Sequence, residues 1–85
     1  MIFLENKGDE VIPGTYRHYK GNDYEVMGIA TNRQTMKEDI VVLRALQDSG
    51  EFKKGSLCYC VRERFFQKIP VSGGREVARF VRIGW

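Results

Sequence analysis

Short apolar segments alternate along the chain with clusters of glycine, asparagine, aspartate and serine. The β-branched and aromatic residues of these segments favour strands, and the clusters between them are typical of turns. The predicted strands are 15–19, 24–30, 40–46, 57–61 and 77–83. Five short strands with closely spaced turns predict an all-β domain, either a small barrel or a sandwich. Residues 62–66 are expected to add one short helical turn.

Several segments carry features that bear on the shape of the sheet. Gly28 lies inside the second predicted strand, where glycine often marks a bulge or a sharp bend. The segment 40–46 is the most apolar one, which predicts a central strand, and a helix over 36–46 is the competing interpretation. The last segment alternates, so Arg79 and Arg82 are expected on opposite faces of one strand.

The length and composition predict a single globular domain over residues 1–85. No stretch approaches the roughly 20 apolar residues that a membrane span needs, so we expect no contact with a membrane. Residues 1–7 lack the basic start and long apolar run of a signal peptide, which predicts a cytoplasmic location. The net charge of +3 permits contact with anions but does not require it.

The two cysteines, Cys58 and Cys60, are two residues apart in a predicted strand. Both thiols are therefore expected on the same face, where a disulfide between them would be badly strained. A structural metal site needs about four ligands, and His18 is the only histidine. We expect free thiols in a reducing compartment, with no metal and no cofactor.

A distinctive order of tyrosines, basic residues and glycines spans Gly14–Val26. Further parts of the pattern are Gly28, Ala30, Gln34-Thr35, Val41-Val42, Arg44-Ala45-Leu46, 65–69 and Arg79-Phe80. Over roughly residues 13–83 the chain resembles the DUF1653 family of small bacterial and phage proteins. The resemblance implies an SH3-like barrel, which agrees with the strand count, and a biochemical role that is unassigned. We therefore expect a small five-stranded SH3-like barrel.

Two stretches depart from the pattern of that family. Many members carry Glu-Thr where this chain has Gln34-Thr35, and a tryptophan with an Arg-Pro pair where it has the stretch 58–61. If those family residues form a binding surface, that surface is altered here.

One run of side chains stands out as a candidate binding surface: Tyr16, Arg17, His18, Tyr19 and Lys20. Alternation in a strand puts Tyr16 and Tyr19 on opposite faces, so one is expected to pack inward and the other outward. The functional interpretation is a stacking platform, because aromatic rings stack on bases while Arg or Lys neutralises phosphate. The structural alternative is a cross-strand pair of Tyr19 and Tyr24 beside solvated charges.

Arg44 interrupts the apolar segment 40–46. An arginine in such a place costs free energy unless it faces water or pairs with an acid. It therefore either points into a ligand groove or lies on the outer side of a half-exposed sheet.

The ends of the chain and one aromatic pair suggest contacts beyond a single domain. Residues 1–4 are apolar, and Trp85 ends the chain, so burial against a second subunit is expected to hold them better than solvent. Of the adjacent residues Phe65 and Phe66, at most one is expected in the core. These features favour a homo-oligomer.

No motif of a known catalytic class is present, so we expect no enzymatic activity. The leading hypothesis is a non-catalytic module that recognises an anionic, base-containing ligand, either a nucleotide or nucleic acid. Its expected binding residues are Tyr16, Arg17, His18, Tyr19, Lys20, Tyr24 and Arg44. The alternative is a protein-interaction module whose aromatic groove holds a peptide or a partner protein.

Overall fold

The structure of the chain is a computed structural model that describes residues 11–85. Its elements in chain order are β1 (Gly14–His18), β2 (Asp23–Asn32), β3 (Lys37–Ala45), β4 (Leu57–Val61), α1 (Arg62–Phe65), β5 (Lys68–Val71), a 3-10 turn (Ser72–Gly74), β6 (Arg75–Ala78) and β7 (Phe80–Gly84). The all-β prediction is confirmed, and the expected helical turn is α1. The expectation about residues 1–4 lies outside the described residues.

The strands form a five-stranded sheet and a two-stranded sheet. β1 to β4 make an antiparallel meander and β7 returns to pair with β1, which gives the order β4-β3-β2-β1-β7. β5 and β6 pair with each other as a hairpin. A meander closed by a returning strand brings the two ends of the described chain together, at the β1–β7 pair.

The predicted single strand over 77–83 is wrong. β6 ends at Ala78 and pairs with β5, whereas β7 begins at Phe80 and pairs with β1, so the chain changes sheets at Arg79. The alternation therefore does not continue through this segment. Arg79 and Arg82 are both half-buried, and the expected division between two faces of one strand does not apply.

Residues 40–45 lie in β3, and Leu46 directly follows the strand, so the segment is not a helix. Val41, Leu43 and Ala45 are buried while Arg44 between them is exposed, which is the period of two that a sheet with one covered face produces. The bulge expected at Gly28 is confirmed, because the β2–β3 register shifts between Val26 and Gly28.

The core lies on the inner face of the main sheet, under α1. Its buried residues are Tyr16, Tyr24, Val26, Val41, Leu43, Ala45 and Phe65. Phe65 stacks on Phe80 with a centroid distance of 4.9 Å and meets the Tyr16 ring edge-on at 5.3 Å. Phe66 is exposed, so the adjacent phenylalanines divide between core and surface as expected. Burying one such ring stabilises the fold by about 1.5–3 kcal/mol.

None of the helices within residues 11–85 is long and apolar enough to cross a membrane.

Candidate functional site

A cleft of about 190 Å³ opens on the inner side of the main sheet. Leu43 forms part of its floor, and the two thiols of β4 face it from one side. Its aromatic lining is His18, Tyr24, Phe52 and Phe80, its charged lining is Glu51, Arg64 and Arg79, and Tyr59 borders it from β4 with its side chain on the opposite face of the strand. The cleft thus combines aromatic surface with two guanidinium groups and one carboxylate.

The aromatic walls are held by edge-to-face ring contacts. The His18 ring lies 5.0 Å from that of Phe80, and the Tyr24 ring lies 6.0 Å from Phe80 and 6.4 Å from Phe52. Such contacts are favourable because the positive edge of one ring meets the negative face of the next. Three of these residues come from β1, β2 and β7, so the main sheet fixes their spacing.

Phe52 instead comes from the loop between β3 and β4. Ser49 holds this loop, because its backbone N–H donates to the Phe52 carbonyl at 2.8 Å and its Oγ accepts from the Phe52 N–H at 3.0 Å. The loop is therefore closed locally, and Phe52 is half-buried against the core.

Arg79 lies where the hairpin meets the main sheet. Its carbonyl accepts from the Tyr19 N–H at 2.8 Å, and its N–H donates to the Gln67 carbonyl at 3.1 Å. Its Nη2 donates to Gln67 Oε1 at 3.0 Å. Its Nε is buried and has no hydrogen-bond partner, and none of the ion pairs among residues 11–85 includes it. Arg79 therefore brings to the cleft a positive charge that is hydrogen-bonded to Gln67 but has no ion-pair partner among residues 11–85.

The pKa of His18 indicates that positive charge dominates its surroundings in the cleft. Burial lowers the pKa of His18 below its usual 6.5, and the nearby charges of Arg79 and Lys20 lower it further, against a weaker opposite effect of Glu51. The Nδ1 of His18 accepts from the Lys20 N–H at 3.2 Å, which leaves the proton of the neutral ring on Nε2.

Both cysteines are free and half-buried on the same side of β4, as the spacing predicted. Burial raises the pKa of Cys58, and burial together with Cys58 raises the pKa of Cys60 to about 11. The thiols are protonated at neutral pH, which makes them weak nucleophiles. In the part of the chain that the structure describes, no three His, Cys, Asp or Glu residues are placed to hold a metal ion.

Three of the predicted binding residues lie away from the cleft. Tyr16 is buried in the core and its hydroxyl donates to the Ile12 carbonyl at 2.7 Å, so it offers no face for stacking. Arg17 pairs with Asp23 at 2.8 Å in solvent. Arg44 faces solvent on the outer side of the sheet.

The outward direction of Arg44 follows from its position in β3, between buried neighbours. Its Nε lies 3.8 Å from a carboxylate oxygen of Glu25. Of the two interpretations of this arginine, the structure supports the outer face of a half-exposed sheet and not a ligand groove.

The other predicted residues lie in the cleft or beside it. His18 and Tyr24 line it. Tyr19 is 40% exposed just outside, with Lys20 Nζ 5.9 Å and Arg79 Cζ 6.0 Å from its ring centroid. The division of Tyr16 inward and Tyr19 outward is therefore confirmed. The alternative pair of Tyr19 and Tyr24 is not formed, because Tyr24 lies opposite Tyr16 in the β1–β2 register.

The comparisons with known proteins identify the family. A family model described as a protein of unknown function, DUF1653, matches residues 14–82. The chain belongs to the DUF1653 family. The crystal structure of a DUF1653 protein from Bordetella bronchiseptica is similar to this chain, with 25% sequence identity and a TM-score of 0.70 over 87% of this chain and 88% of that chain. No curated protein matches the DUF1653 chain.

The family match tells us one thing about the cleft, which is that the matched range includes it. Every residue that lines the cleft of the DUF1653 chain lies within the matched range 14–82. The sequence analysis missed Phe52, Arg64, Arg79 and Phe80 as site residues. The adjacent pair Arg79-Phe80 was part of the family pattern, and it was the one signal that pointed to this part of the site.

Proposed function

We propose that this DUF1653 chain is a non-catalytic binding module whose cleft takes a small anionic ligand carrying an aromatic base, such as a nucleotide or an exposed base and phosphate of nucleic acid. The observation that carries the proposal is Arg79. Its guanidinium lines the cleft beside aromatic rings, is half-buried and has no ion-pair partner among the described residues. A partly desolvated cation gains from pairing with an anion, which a phosphate-bearing ligand would supply.

The size of the cleft limits how much of a ligand it holds. A volume of about 190 Å³ is smaller than the roughly 300–1,000 Å³ of sites that enclose a drug-sized molecule. One end of the ligand would fit, and the remainder would lie over the rim. Tyr19 and Lys20 stand at that rim, and they supply a stacking face and a cation where an emerging base or phosphate would meet them.

We also infer that the domain is an SH3-like barrel. The support is the strand order, in which a four-stranded meander is followed by a last strand that returns to β1. The small hairpin of β5 and β6 is then an insertion before the last strand. A cytoplasmic location of the protein and its action in bacteria or phage stay predictions.

A thermal-shift screen followed by calorimetric titration tests the ligand class. The probes are nucleoside monophosphates, cyclic dinucleotides and short single-stranded oligonucleotides. At least one probe is expected to raise the melting temperature, since a ligand that binds only the folded state stabilises it. If none does, the proposal is wrong.

Two matched arginine variants then locate the site. Arg79→Gln is expected to weaken binding roughly 10-fold to 100-fold, because a hydrogen bond to a charged group contributes about 1.5–3 kcal/mol. Arg44→Gln removes the same charge from the outer face and is expected to leave the affinity unchanged. Equal losses in the two variants would mean that general charge, and not the cleft, carries binding.

The protein-interaction alternative rests on the same aromatic lining. An extended peptide could lie over Tyr19 and enter the cleft with one side chain, as peptides do in aromatic grooves. Binding of a peptide would depend on the aromatic residues more than on Arg79. This alternative would be favoured if Tyr19→Ala reduced the affinity for a peptide while Arg79→Gln left that affinity unchanged.

A further inference from the structure

β4 is an edge strand of the main sheet, with no strand partner on its outer side among the described residues. It pairs with β3 on one side only, and the β3–β4 register runs without a bulge. Its outward side chains are largely exposed, at 63% for Leu57, 67% for Tyr59 and 41% for Val61. Natural edge strands are usually protected by lysine, proline or a bulge, and β4 contains none of these. A regular apolar edge of this kind can accept another strand.

The sequence of β4 is symmetric about Tyr59. It reads aliphatic, cysteine, tyrosine, cysteine, aliphatic from Leu57 to Val61. Antiparallel pairing of two copies about a two-fold axis at Tyr59 would place Leu57 of one copy opposite Val61 of the other. An isologous contact requires a surface that complements itself in this way. Cross-strand apolar pairs of this type stabilise a sheet by about 0.2–1 kcal/mol each.

We propose that two copies of the chain associate through antiparallel pairing of β4 about a two-fold axis at Tyr59. The pairing joins two five-stranded sheets into one. Because Cys58 and Cys60 face the cleft from β4, the two clefts then lie side by side on one surface. This inference is independent of what the cleft binds.

The oligomeric state of the whole chain is the first test, measured by sedimentation velocity over a range of concentrations. The wild type is expected to form a dimer, and Tyr59→Lys is expected to weaken it at least about tenfold by placing two lysines at the axis. Val81→Lys is the matched control, because Val81 is an exposed apolar residue on the other edge strand, β7. A wild type that stays monomeric to about 100 μM, or a dimer that both variants weaken equally, overturns the proposal.

Thiol crosslinking tests the register. Cα atoms of directly opposed residues in an antiparallel pair are about 4.5–5.5 Å apart, which lies within the range of a disulfide. In the proposed dimer Cys58 of one copy lies opposite Cys60 of the other. Diamide would take two protons and two electrons from such a thiol pair and form the disulfide. The raised pKa of Cys60 calls for mildly alkaline conditions.

Single-cysteine variants make this test specific. Cys58→Ala alone and Cys60→Ala alone are each expected to stay uncrosslinked, because each lacks one member of every opposed pair. An equimolar mixture of the two variants is expected to give a covalent dimer. Crosslinking of either variant by itself, or none in the mixture or the wild type, overturns the proposed register.

Discussion

Arg79 and His18 face the same cleft, and histidine is the side chain whose charge responds to pH near neutrality. His18 is a neighbour whose pKa lies below 6.5 because of burial and because of the charges of Arg79 and Lys20. The cleft already holds two guanidinium groups and one carboxylate, and it gains a further positive charge when His18 is protonated on acidification. A bound anion would favour that further charge.

An NMR titration of His18, the only histidine of the chain, checks this relation. Its pKa is expected below 6.5 in the wild type and higher in Arg79→Gln, because that change removes a positive neighbour. Arg17→Gln, which changes an exposed arginine paired with Asp23, is the control and should leave the titration unchanged. A bound nucleotide should raise the pKa. No response to Arg79→Gln would contradict the electrostatic account of the cleft.

The lowered pKa of His18 also makes the stability of the fold depend on pH. A histidine whose folded pKa is lowered binds fewer protons in the folded state than in the unfolded state over the interval between the two pKa values. The free energy of unfolding should therefore decline as the pH falls below about 6.5 and through the folded pKa. Replacing His18 by Gln should remove this part of the decline.

At the scale of elements, the β1–β7 pair closes the main sheet, and Gly14 permits the approach of the two strands. Gly14 has a φ of +146°, and a Cβ on it would lie 2.5 Å from the Gly84 carbonyl oxygen and 2.8 Å from Arg82 Nε. Neither the backbone angle nor the space admits a side chain. The strand that returns to β1 thus depends on a glycine at the start of β1.

Gly14→Ala is expected to lower the free energy of unfolding by about 2 kcal/mol or more, from backbone strain and from displacement of β7. Gly50→Ala is the matched control, because Gly50 lies in the β3–β4 loop with open space around its Cα. The control should change the stability by less than about 0.5 kcal/mol. Urea unfolding of both variants measures the difference, and similar losses would show that Gly14 has no special role in closing the sheet.

The elements that alternation defines were predicted from the sequence, and those that depend on contacts between distant segments were not. β3 and β4 have one covered face each, so burial follows the period of two that the residues display. β5 also alternates between exposed and half-buried positions, but it has only four residues and contains Pro70, so its sequence does not stand out as a strand. The change of sheets at Arg79 falls inside a segment whose residue types alternate without interruption, so nothing in the sequence marks the bend at Arg79.

The candidate site was predicted in part for the same reason. His18, Tyr19 and Tyr24 belong to the distinctive segment around β1, and they lie at or near the cleft. Tyr16 belongs to that segment too, but the inner face of β1 points it into the core. Phe52 lies in the β3–β4 loop and Arg79 lies where the chain passes from one sheet to the other. Only the folded structure brings these two places next to β1.

At the scale of the whole molecule, the net charge is only +3 over 85 residues and the cleft is small. Near the cleft, the cations available to phosphate are those of Arg79, Lys20 and Arg64. A polynucleotide would need a longer basic track than these three residues provide. The geometry therefore favours a ligand that places one or two phosphates at the cleft.

The dependence of binding on salt tests this limit. For a single-stranded ligand, log K should fall with log salt by about 0.7 for each phosphate neutralised, so a slope of about −0.7 to −1.4 is expected. The control is the same titration with Arg44→Gln, which should keep the slope. A slope steeper than about −3 would indicate an extended nucleic-acid track, and a flat one would favour the peptide alternative.

Arg79 also connects the two sheets through its main chain. Its carbonyl accepts from Tyr19 at the end of β1, and its N–H donates to Gln67 just before the hairpin. The residue whose guanidinium lines the cleft is thus also the residue whose backbone links the hairpin to the main sheet. A ligand that binds the Arg79 side chain would also restrain the β5–β6 hairpin against the main sheet. Binding in the cleft is therefore expected to rigidify a hairpin that the ligand itself does not contact.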